Sequence, residues 1–351
     1  MSELRPIKFL PNRARRVYRG GLLLDKWQGN PDPGDSFTPE EWIASLVPAV
    51  NHGMPYVPNE GLSVDRASGR TLKNIISEDP VAMLGARHYK KFGATMGILV
   101  KALDSMERLP IQVHPDKALA KRLLGSDFGK TEAWYILDVR SQEAAVYAGF
   151  KKGVTLELWQ SLFEKQDIPG MVDCLVKIPA KPGDVFLIRG GLPHAIGAGC
   201  LLMEIQEPTD ITVRLERKMA LSGVELPDMS IHSGIGFDHM FECFSFDDKR
   251  SPVLTPKIIE DEEDFSVKSL ISYDNTTSFA MEEIDVRNKF RLGADGVFCL
   301  LVVLSGNGVL DTGEEKIPLS QSEYIFLPAQ RADSVITTTA GIRLLRCLPP
   351  Q

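Results

Sequence analysis

The stretch KPGDVFLIRGGLPHAIGAG at residues 181–199, followed directly by CLLMEIQ at 200–206, contains the pattern that decides the fold. Its aliphatic and β-branched runs are short, and each is bounded by Gly, Pro or Asp, the residues that favour turns. Short strand signals at close spacing are typical of a β-sandwich or barrel and not of a parallel α/β sheet. The stretch therefore predicts a mostly β fold.

The same pattern extends along the chain on both sides of this stretch. Around it lie the runs GILVKAL, LPIQVHP, EAWYILDV, AAVYAGF and DITVRL, and strand signals resume after Pro256 with SVKSLISY, SFAMEEIDV, GVFCLLVVL, GVLDT, EYIFLPA, DSVITTT and GIRLLRCL. Residues 219–256 are poor in strand pattern. We therefore predict a domain at 1–218, a connector at 219–256 and a second strand-rich domain at 257–351.

Two stretches with helical spacing interrupt the strands. One lies near residues 72–84, where Pro80 is expected to split the helix because proline lacks the N–H that a helix interior needs. The other lies near 156–175, where Trp159 and Phe163 stand four positions apart and so share a helix face. We predict that both aromatic side chains pack against the sheet.

Composition narrows the class of protein. The 351 residues are 43% hydrophobic and 25% charged, as in an ordinary globular protein with a substantial core. The net charge of −7 argues against general binding to nucleic acid or to an anionic membrane. No run approaches the roughly 18 apolar residues of a membrane span, and the first residues lack the apolar region of a signal peptide. Five scattered cysteines without a CxxC pair indicate free thiols in a reducing cytoplasm.

Four side chains carry candidate metal chemistry. Gln112 and His114 in LPIQVHPD lie two positions apart, so a strand would point both to one face. Glu132 lies in a second strand-like run, and His194 follows a Gly-Gly-x-Pro turn. Isolated histidines are commonly just satisfied polar groups, but the chain has only six, and two of them fall in these strand-rich motifs. The four residues together predict a mixed nitrogen and oxygen site for a divalent ion such as zinc.

The motifs also carry a family resemblance. LPIQVHPD, GKTEAWYIL, KPGDVFLIRGGLPHAIGAG and EIQEPTDITVRLER resemble, in the same order, the type I phosphomannose isomerases, a cupin family. The resemblance runs through roughly the first two-thirds of the chain. It implies two cupin-type jelly-roll barrels with a small helical insertion, the second of them degenerate because no histidine follows His239. It also implies a Zn²⁺-dependent aldose–ketose isomerase that interconverts mannose 6-phosphate and fructose 6-phosphate by proton transfer between C1 and C2.

Three further residues are candidate catalytic groups. Lys130 stands two positions before Glu132 and in a strand would point to the metal face, as an acid/base or a substrate contact; the alternative is a surface lysine that begins the strand. The resemblance places Arg214 at the family's active-site arginine, whose fixed charge suits developing oxyanion charge; without it, Arg214 is an ordinary rim arginine. Asp210 could orient Arg214 or serve as the base.

Glu204 and Gln206 are candidate substrate-binding groups. They alternate with Met203 and Ile205 and so share one strand face. If that face looks into the barrel, the two polar groups orient ligands or sugar hydroxyls, and if it looks outward they are merely solvated. We favour the inward orientation.

Pro110 departs from the family pattern. The family usually has a serine there, two residues before the ligand glutamine, and proline offers neither a hydroxyl nor an N–H to a substrate phosphate. Replacement contacts are sought in Lys101, Arg217 and Lys218. Two alternatives therefore stay open: an isomerase of a different or unphosphorylated sugar, and a metal-bearing cupin that binds sugar without turnover. The expected partner is a small sugar phosphate, and a homo-oligomer stays open.

The remaining histidines receive no role. His52, His88, His232 and His239 have no neighbours at ligand spacing. The basic residues around His88 suggest that it lies on the surface.

Overall fold

The computed structural model describes residues 4–51, 54–219, 221, 223–248 and 250–351; His52 lies outside the described residues. The strands are β1 (Ile7–Lys8), β2 (Arg13–Ala14), β3 (Glu40–Ile43), β4 (Leu99–Asp104), β5 (Gln112–Val113), β6 (Glu132–Val139), β7 (Ala145–Phe150), β8 (Leu175–Pro179), β9 (Val185–Ile188), β10 (His194–Ile196), β11 (Cys200–Gln206), β12 (Val213–Arg214), β13 (Val253–Leu254), β14 (Lys257–Asp261), β15 (Phe265–Ile271), β16 (Ala280–Val286), β17 (Lys289–Leu292), β18 (Cys299–Asp311), β19 (Lys316–Ser320), β20 (Tyr324–Leu327), β21 (Ser334–Thr337) and β22 (Ile342–Leu348). The helices are α1 (Leu22–Gln28), α2 (Leu72–Glu78), α3 (Pro80–Leu84), α4 (Ala86–Phe92), α5 (Lys117–Leu124), α6 (Leu156–Lys165), α7 (Ile168–Asp173), α8 (Asp228–His232) and α9 (Phe237–Met240).

The strands form three sheets. A five-stranded sheet has the order β12-β5-β10-β7-β8, and a seven-stranded sheet has the order β13-β9-β6-β11-β4-β3-β2. A ten-stranded sheet runs β1-β20-β18-β22-β16-β15-β14, with β17, β19 and β21 off this path. The mostly β prediction is therefore confirmed. The strand pairings of the described residues form open paths, and no closed barrel is found among them.

The seven-stranded sheet lies at the centre because its two faces bury side chains in different cores. Ala133 and Met203 pack with residues of the ten-stranded sheet such as Phe326. Trp134 and Leu202, one position along each strand, pack on the opposite side with residues of the five-stranded sheet. Side chains alternate along a strand, so the even-numbered positions of β6 and β11 face the space between the five- and seven-stranded sheets.

Both predicted helical stretches are found, with breaks at identifiable residues. Pro80 splits the first as expected: α2 ends at Glu78, and the Asp79 carboxylate caps α3 by accepting a hydrogen bond from Ala82 N at 2.9 Å. In the second stretch α6 ends at Lys165, because Gln166 takes a left-handed conformation with φ of 51°. The stretch then continues as α7 and turns into β8 at Leu175 instead of remaining one helix.

The predicted core aromatic residues are buried, and one surface prediction is wrong. Trp159 is fully buried and Phe163 is 4% exposed, which confirms their packing role. His88 was expected on the surface but is only 7% exposed. Its ring contacts Phe298 edge-on, with centroids 5.3 Å apart, and its Nε2 lies 2.7 Å from Thr95 O. On α4 the neighbouring lysines point outward while His88 points inward. The basic residues around His88 therefore gave the wrong prediction for its own side chain. Within the described part of the chain, no helix has the length and apolar character that crossing a bilayer requires.

Candidate metal centre

Two strand starts and one strand end bring the candidate ligands together. Glu132 is the first residue of β6, His194 the first of β10, and His114 follows directly after β5. Gln112 on β5 is the direct cross-strand partner of His194. The sheet that contains β5 and β10 packs over the sheet that contains β6. The candidate ligands therefore meet at one end of the space between the two sheets.

The geometry of His114, Glu132 and His194 is that of a converging ligand set. His114 Nε2 lies 3.2 Å from Glu132 Oε2, and His194 Nε2 lies 3.2 Å from Glu132 Oε1. One ligand atom from each of the three residues can be chosen so that all lie within 4.8 Å of one another, and all three residues are buried. The edge of Trp134 packs against the His194 ring, with centroids 5.5 Å apart.

Backbone carbonyls fix the tautomer of both imidazoles. His114 Nδ1 lies 2.9 Å from Ile211 O, and His194 Nδ1 lies 2.8 Å from Leu192 O. A carbonyl oxygen can only accept, so each Nδ1 carries the proton and each Nε2 lone pair faces Glu132. This is the form in which histidine binds a metal ion.

The electrostatics keep the set ready for a cation. Burial, with the Lys130 ammonium adding to it, lowers the pKa of His114 to about 3, so the ring is neutral at pH 7. Burial works against ionisation of Glu132, but Lys130 and the imidazole of His114 hold the pKa of this carboxyl well below its usual range. Two imidazole nitrogens and one carboxylate fit a divalent ion that accepts mixed N and O ligands.

Lys130 lies on the metal face and not on the surface. Its Nζ is 2.9 Å from Glu132 Oε2 and 3.0 Å from His114 Nε2, and the residue is 4% exposed. The alternative of a surface lysine therefore does not fit. An ammonium at this position can donate a proton, or hold a substrate oxygen, directly beside the ligand set.

A cleft opens beside this cluster. Gln112 lines it, as do Pro110 and Thr212. The charged residues in its wall are Arg16, Glu40, Lys101, Lys130, Glu204, Asp210 and Arg214. Five of the predicted site residues therefore share one cleft, and four of them carry charge.

The sequence patterns did not identify the network centred on Glu40. The Glu40 carboxylate accepts hydrogen bonds from Tyr18 Oη at 2.6 Å and Trp42 Nε1 at 2.7 Å, and lies 3.0 Å from Arg16 Nε. Burial opposes ionisation, but the charges of Arg16 and Lys101 lower the pKa of Glu40 to about 2. Glu40 is thus a fixed negative charge inside the cleft.

Glu204 is a buried carboxyl next to a buried lysine. Lys101 Nζ lies 3.4 Å from Glu204 Oε1 and 4.0 Å from Glu40 Oε2. Burial raises the pKa of Glu204, and Lys101 only partly offsets this. The inward orientation expected for Glu204 and Gln206 fits their burial at 3% and 0% exposure. Gln206, however, does not line the cleft; its Nε2 donates to Glu207 O at 3.0 Å and to Thr209 O at 2.6 Å.

The two remaining catalytic candidates lie in the cleft wall but do not pair with each other. Arg214 donates to Ser230 O at 2.7 Å, whereas Asp210 lies 3.4 Å from the guanidinium of Arg16. Arg16, Lys101 and Lys130 each pair with a carboxylate. Within the described part of the chain, Arg214 is therefore the cleft cation that forms no ion pair, and burial lowers its pKa.

Of the three residues suggested as phosphate contacts in place of a serine at position 110, one lines the cleft and two do not. Lys101 lies in the cleft. Arg217 instead lies over the rings of Phe163 and Phe237, 5.1 and 5.0 Å from their centroids. Lys218 lies on the surface, 2.9 Å from a carboxylate oxygen of Glu225. Neither Arg217 nor Lys218 lines the cleft.

Comparison with known proteins agrees with this geometry. The family Phosphomannose isomerase type I, catalytic domain, matches residues 57–147, and the family Mannose-6-phosphate isomerase, cupin domain, matches residues 269–342. The chain is 25% identical to the mannose-6-phosphate isomerase of Streptococcus mutans over 333 residues, which are 91% of this chain and 92% of that protein. It is 28% identical to the mannose-6-phosphate isomerase ManA of Bacillus subtilis over 252 residues, covering 70% and 74% of the two chains.

A solved structure extends the likeness to the fold of nearly the whole chain. The crystal structure of the mannose 6-phosphate isomerase from Bacillus subtilis superposes with a TM-score of 0.77 at 24% identity, over 97% of this chain and 99% of that one. The class is thus a mostly β protein with a cupin domain and a buried His–Glu–His candidate metal centre. Within that class, the chain is similar to the type I phosphomannose isomerases.

Proposed function

We propose that this protein is a mannose-6-phosphate isomerase, which interconverts mannose 6-phosphate and fructose 6-phosphate by moving a proton between C1 and C2. The observation that carries the proposal is the buried set of His114, Glu132 and His194, with Lys130 in contact with two of its members. The relatives that align along most of the chain carry this activity in their names.

The resident ion is proposed to be zinc, held by His114, Glu132, His194 and the amide oxygen of Gln112. A set of nitrogen and oxygen donors of this kind would suit zinc, although other divalent ions share the preference. When bound, the ion supplies Lewis-acid polarisation of the substrate oxygens, which makes the C–H next to the carbonyl more acidic. The Nδ1–H bonds to Ile211 O and Leu192 O hold the two imidazoles for this purpose.

Three side chains of the cleft are proposed to transfer the proton and to stabilise negative charge on the substrate. Lys130 lies beside the ligand set, where its ammonium can give a proton to a substrate oxygen or hold that oxygen in place. Among the described residues, Arg214 is the cleft cation without an ion pair, so its charge is available to negative charge that develops on the substrate. Glu204 is a buried carboxyl whose pKa is raised by burial, and it lies in the cleft wall, where it can exchange a proton with the substrate. Gln206 does not line the cleft, so we propose that it affects the substrate only indirectly, through its hydrogen bonds to the backbone of Glu207 and Thr209.

The architecture proposed with this activity is a pair of cupin-type jelly rolls with a small helical insertion. The first, at 1–218, holds the site; a connector follows at 219–256; and a second jelly roll without metal ligands occupies 257–351. The match of a cupin family to 269–342 supports the last assignment. The proposed setting is the cytoplasm, where the five buried thiols stay reduced, and assembly of copies into a homo-oligomer belongs to the same proposal.

Pro110 favours one alternative substrate class. It lines the cleft and offers no donor, so a phosphate contact that the family draws from a serine is missing at this position. An isomerase for a different or unphosphorylated sugar keeps the same metal site and the same proton transfer. The two substrate classes differ in whether Lys101 and Arg214, two cations of the cleft, contact a phosphate group on the sugar.

A coupled assay tests the proposal. Purified protein is given mannose 6-phosphate, and in parallel unphosphorylated mannose, while formation of the ketose is followed before chelation, after chelation and after zinc is restored. We expect turnover of mannose 6-phosphate that disappears with the chelator and returns with zinc. Turnover of mannose alone would move the assignment to the unphosphorylated sugar. A folded, zinc-loaded protein without turnover of either sugar would overturn the enzyme assignment in favour of a sugar-binding cupin.

A further inference from the structure

The crossing from β11 to β12 is fixed to three other parts of the site. Thr209 Oγ1 donates to Gly129 O at 2.9 Å, beside Lys130. Ile211 O accepts the Nδ1–H of the metal-site residue His114 at 2.9 Å. Thr212 N donates to Ser233 Oγ at 3.0 Å. The position of this short segment therefore determines how the His114 imidazole is oriented.

Asp210 is the residue through which the crossing reaches the amino-terminal part of the chain. Its Oδ1 and Oδ2 lie 3.4 Å from the two terminal nitrogens of Arg16, and Oδ2 also accepts a hydrogen bond from Val50 N at 3.0 Å. The side chain is 10% exposed. Arg16 in turn contacts Glu40, so Asp210 joins the crossing, the Val50 segment and the Glu40 network.

We propose that Asp210 is a positioning residue of the isomerase and not its base: through Arg16 it fixes the cleft wall, and through the adjacent Ile211 carbonyl it orients the metal-site imidazole of His114. The inference rests on the proposed function for its kinetic part only. Both carboxylate oxygens face Arg16, so abstraction of a substrate proton would break the ion pair that holds the wall together.

The local charge supports this division of roles. Burial opposes ionisation of Asp210, but Arg16 and Lys101 hold the pKa of this carboxyl below its usual range. A base for C–H abstraction works best with a pKa near the operating pH, and Asp210 is shifted in the opposite direction. The carboxylate is instead a permanent partner for a permanent cation.

The first test compares Asp210→Asn with wild type. Asparagine keeps the shape and one acceptor but removes the charge. For a positioning residue we expect KM to rise about tenfold, kcat to fall by less than about tenfold, and the pH profile of kcat to keep its acidic limb. For a base, kcat falls by ~10²–10⁴, the acidic limb disappears and KM is unchanged, and that result would overturn the proposal. Asp173→Asn, an exposed aspartate outside the cleft, is the matched control.

The second test needs no turnover. Loss of the support behind a ligand typically weakens metal binding about 10- to 100-fold. Zinc-loaded Asp210→Asn and Arg16→Lys are each expected to release the ion to a chromogenic chelator about tenfold faster than wild type, while Asp173→Asn releases it at the wild-type rate. Release at the wild-type rate from both cleft variants would contradict the proposal. If wild type fails to turn over the sugar phosphate, the proposed function falls but this comparison still decides the inference.

A double-mutant cycle separates shared from independent roles. If Asp210 acts through Arg16, the variant carrying both changes loses about as much kcat/KM as the worse single variant, because the pair is broken only once. Multiplying losses would show that the two residues work separately and would overturn the proposal. Arg16→Lys alone supplies the answer if Asp210→Asn does not fold: it must reproduce the rise in KM and the faster zinc release.

Discussion

The indole Nε1 of Trp42 donates a hydrogen bond of 2.7 Å to Oε2 of Glu40, two residues earlier on β3. Trp42 is fully buried. The Arg16 guanidinium and the Lys101 ammonium also lie over its ring, 4.9 and 5.1 Å from the centroid. One buried aromatic side chain thus orients the carboxylate and stacks on the two cations that the carboxylate attracts.

Glu40→Gln is expected to change how stability depends on pH. The pKa of Glu40 falls from 4.5 to about 2 on folding. As the pH drops, the unfolded chain therefore takes up a proton before the folded one, and stability is lost between about pH 4.5 and pH 2. The shift corresponds to a contribution on the order of 3 kcal/mol that is fully present above about pH 5. Urea unfolding of wild type and Glu40→Gln at a series of pH values measures it.

The difference in unfolding free energy between the two proteins should be largest at pH 5–7 and shrink toward pH 3. Glu143→Gln, at an exposed glutamate in the turn after β6, provides the control and should follow wild type at every pH. A gap that stays constant from pH 7 to pH 3 would show that the charge of Glu40 does not contribute.

Removing one imidazole should abolish the metal site. His194→Gln takes away an Nε2 that faces the Glu132 carboxylate, so metal binding should weaken at least ~100-fold, beyond the usual effect of losing an outer partner. Metal content after gel filtration measures this directly. His239→Gln is the matched control, because His239 lies on the surface beside Glu242. Equal metal content in the two variants would exclude His194 as a ligand.

Replacing Lys130 by Met should separate catalysis from metal binding. The ammonium touches both Glu132 and His114, yet the ligand atoms themselves stay in place. We expect kcat to fall by ~10²–10⁴, the range for loss of an acid/base, with metal content unchanged. Lys121→Met, at an exposed lysine paired with Asp127, should keep full turnover. If Lys130→Met lost its metal as well, Lys130 would be needed for the site itself.

Gly20→Ala tests a close approach of two backbone segments. A Cβ at Gly20 would lie 1.8 Å from the carbonyl oxygen of Asp104, so one of the two segments must move. The expected cost is about 2–3 kcal/mol of unfolding free energy, measured by urea denaturation. Gly34→Ala, in the same part of the chain but with open space around its Cα, should stay within about 0.5 kcal/mol of wild type. Equal stability of the two variants would contradict the packing described here.

The metal cluster could be predicted because its members lie in short, distinctive motifs. Each of His114, Glu132 and His194 comes at the start or end of a strand that the local pattern already indicated. The Glu40 network could not be predicted in the same way. Arg16 and Tyr18 lie in a segment with little strand pattern, and they meet Glu40 only because β3 joins the seven-stranded sheet beside β4.

One strand shows how tertiary structure overrides a local turn signal. The runs GVFCLLVVL and GVLDT are separated by SGN at 305–307 and are predicted as two strands, but β18 continues through them from Cys299 to Asp311. A register shift between Val303 and Ser305, with Gly306 at φ of 81°, bends the strand without ending it. Its first part pairs with β20 and its last part with β19, so two partners fix a continuous strand.

The pairing of β1 with β20 has a consequence for synthesis on the ribosome. Ile7 lies opposite Phe326, so β1 is synthesised well before the strand that pairs with it. At ~5–20 residues per second the interval between them is tens of seconds. Throughout it, apolar side chains such as Phe9 and Leu24 lack their covering partners from the final sheet. The nascent chain therefore exposes an apolar surface until β20 has been synthesised, and we expect chaperones to bind it during that time.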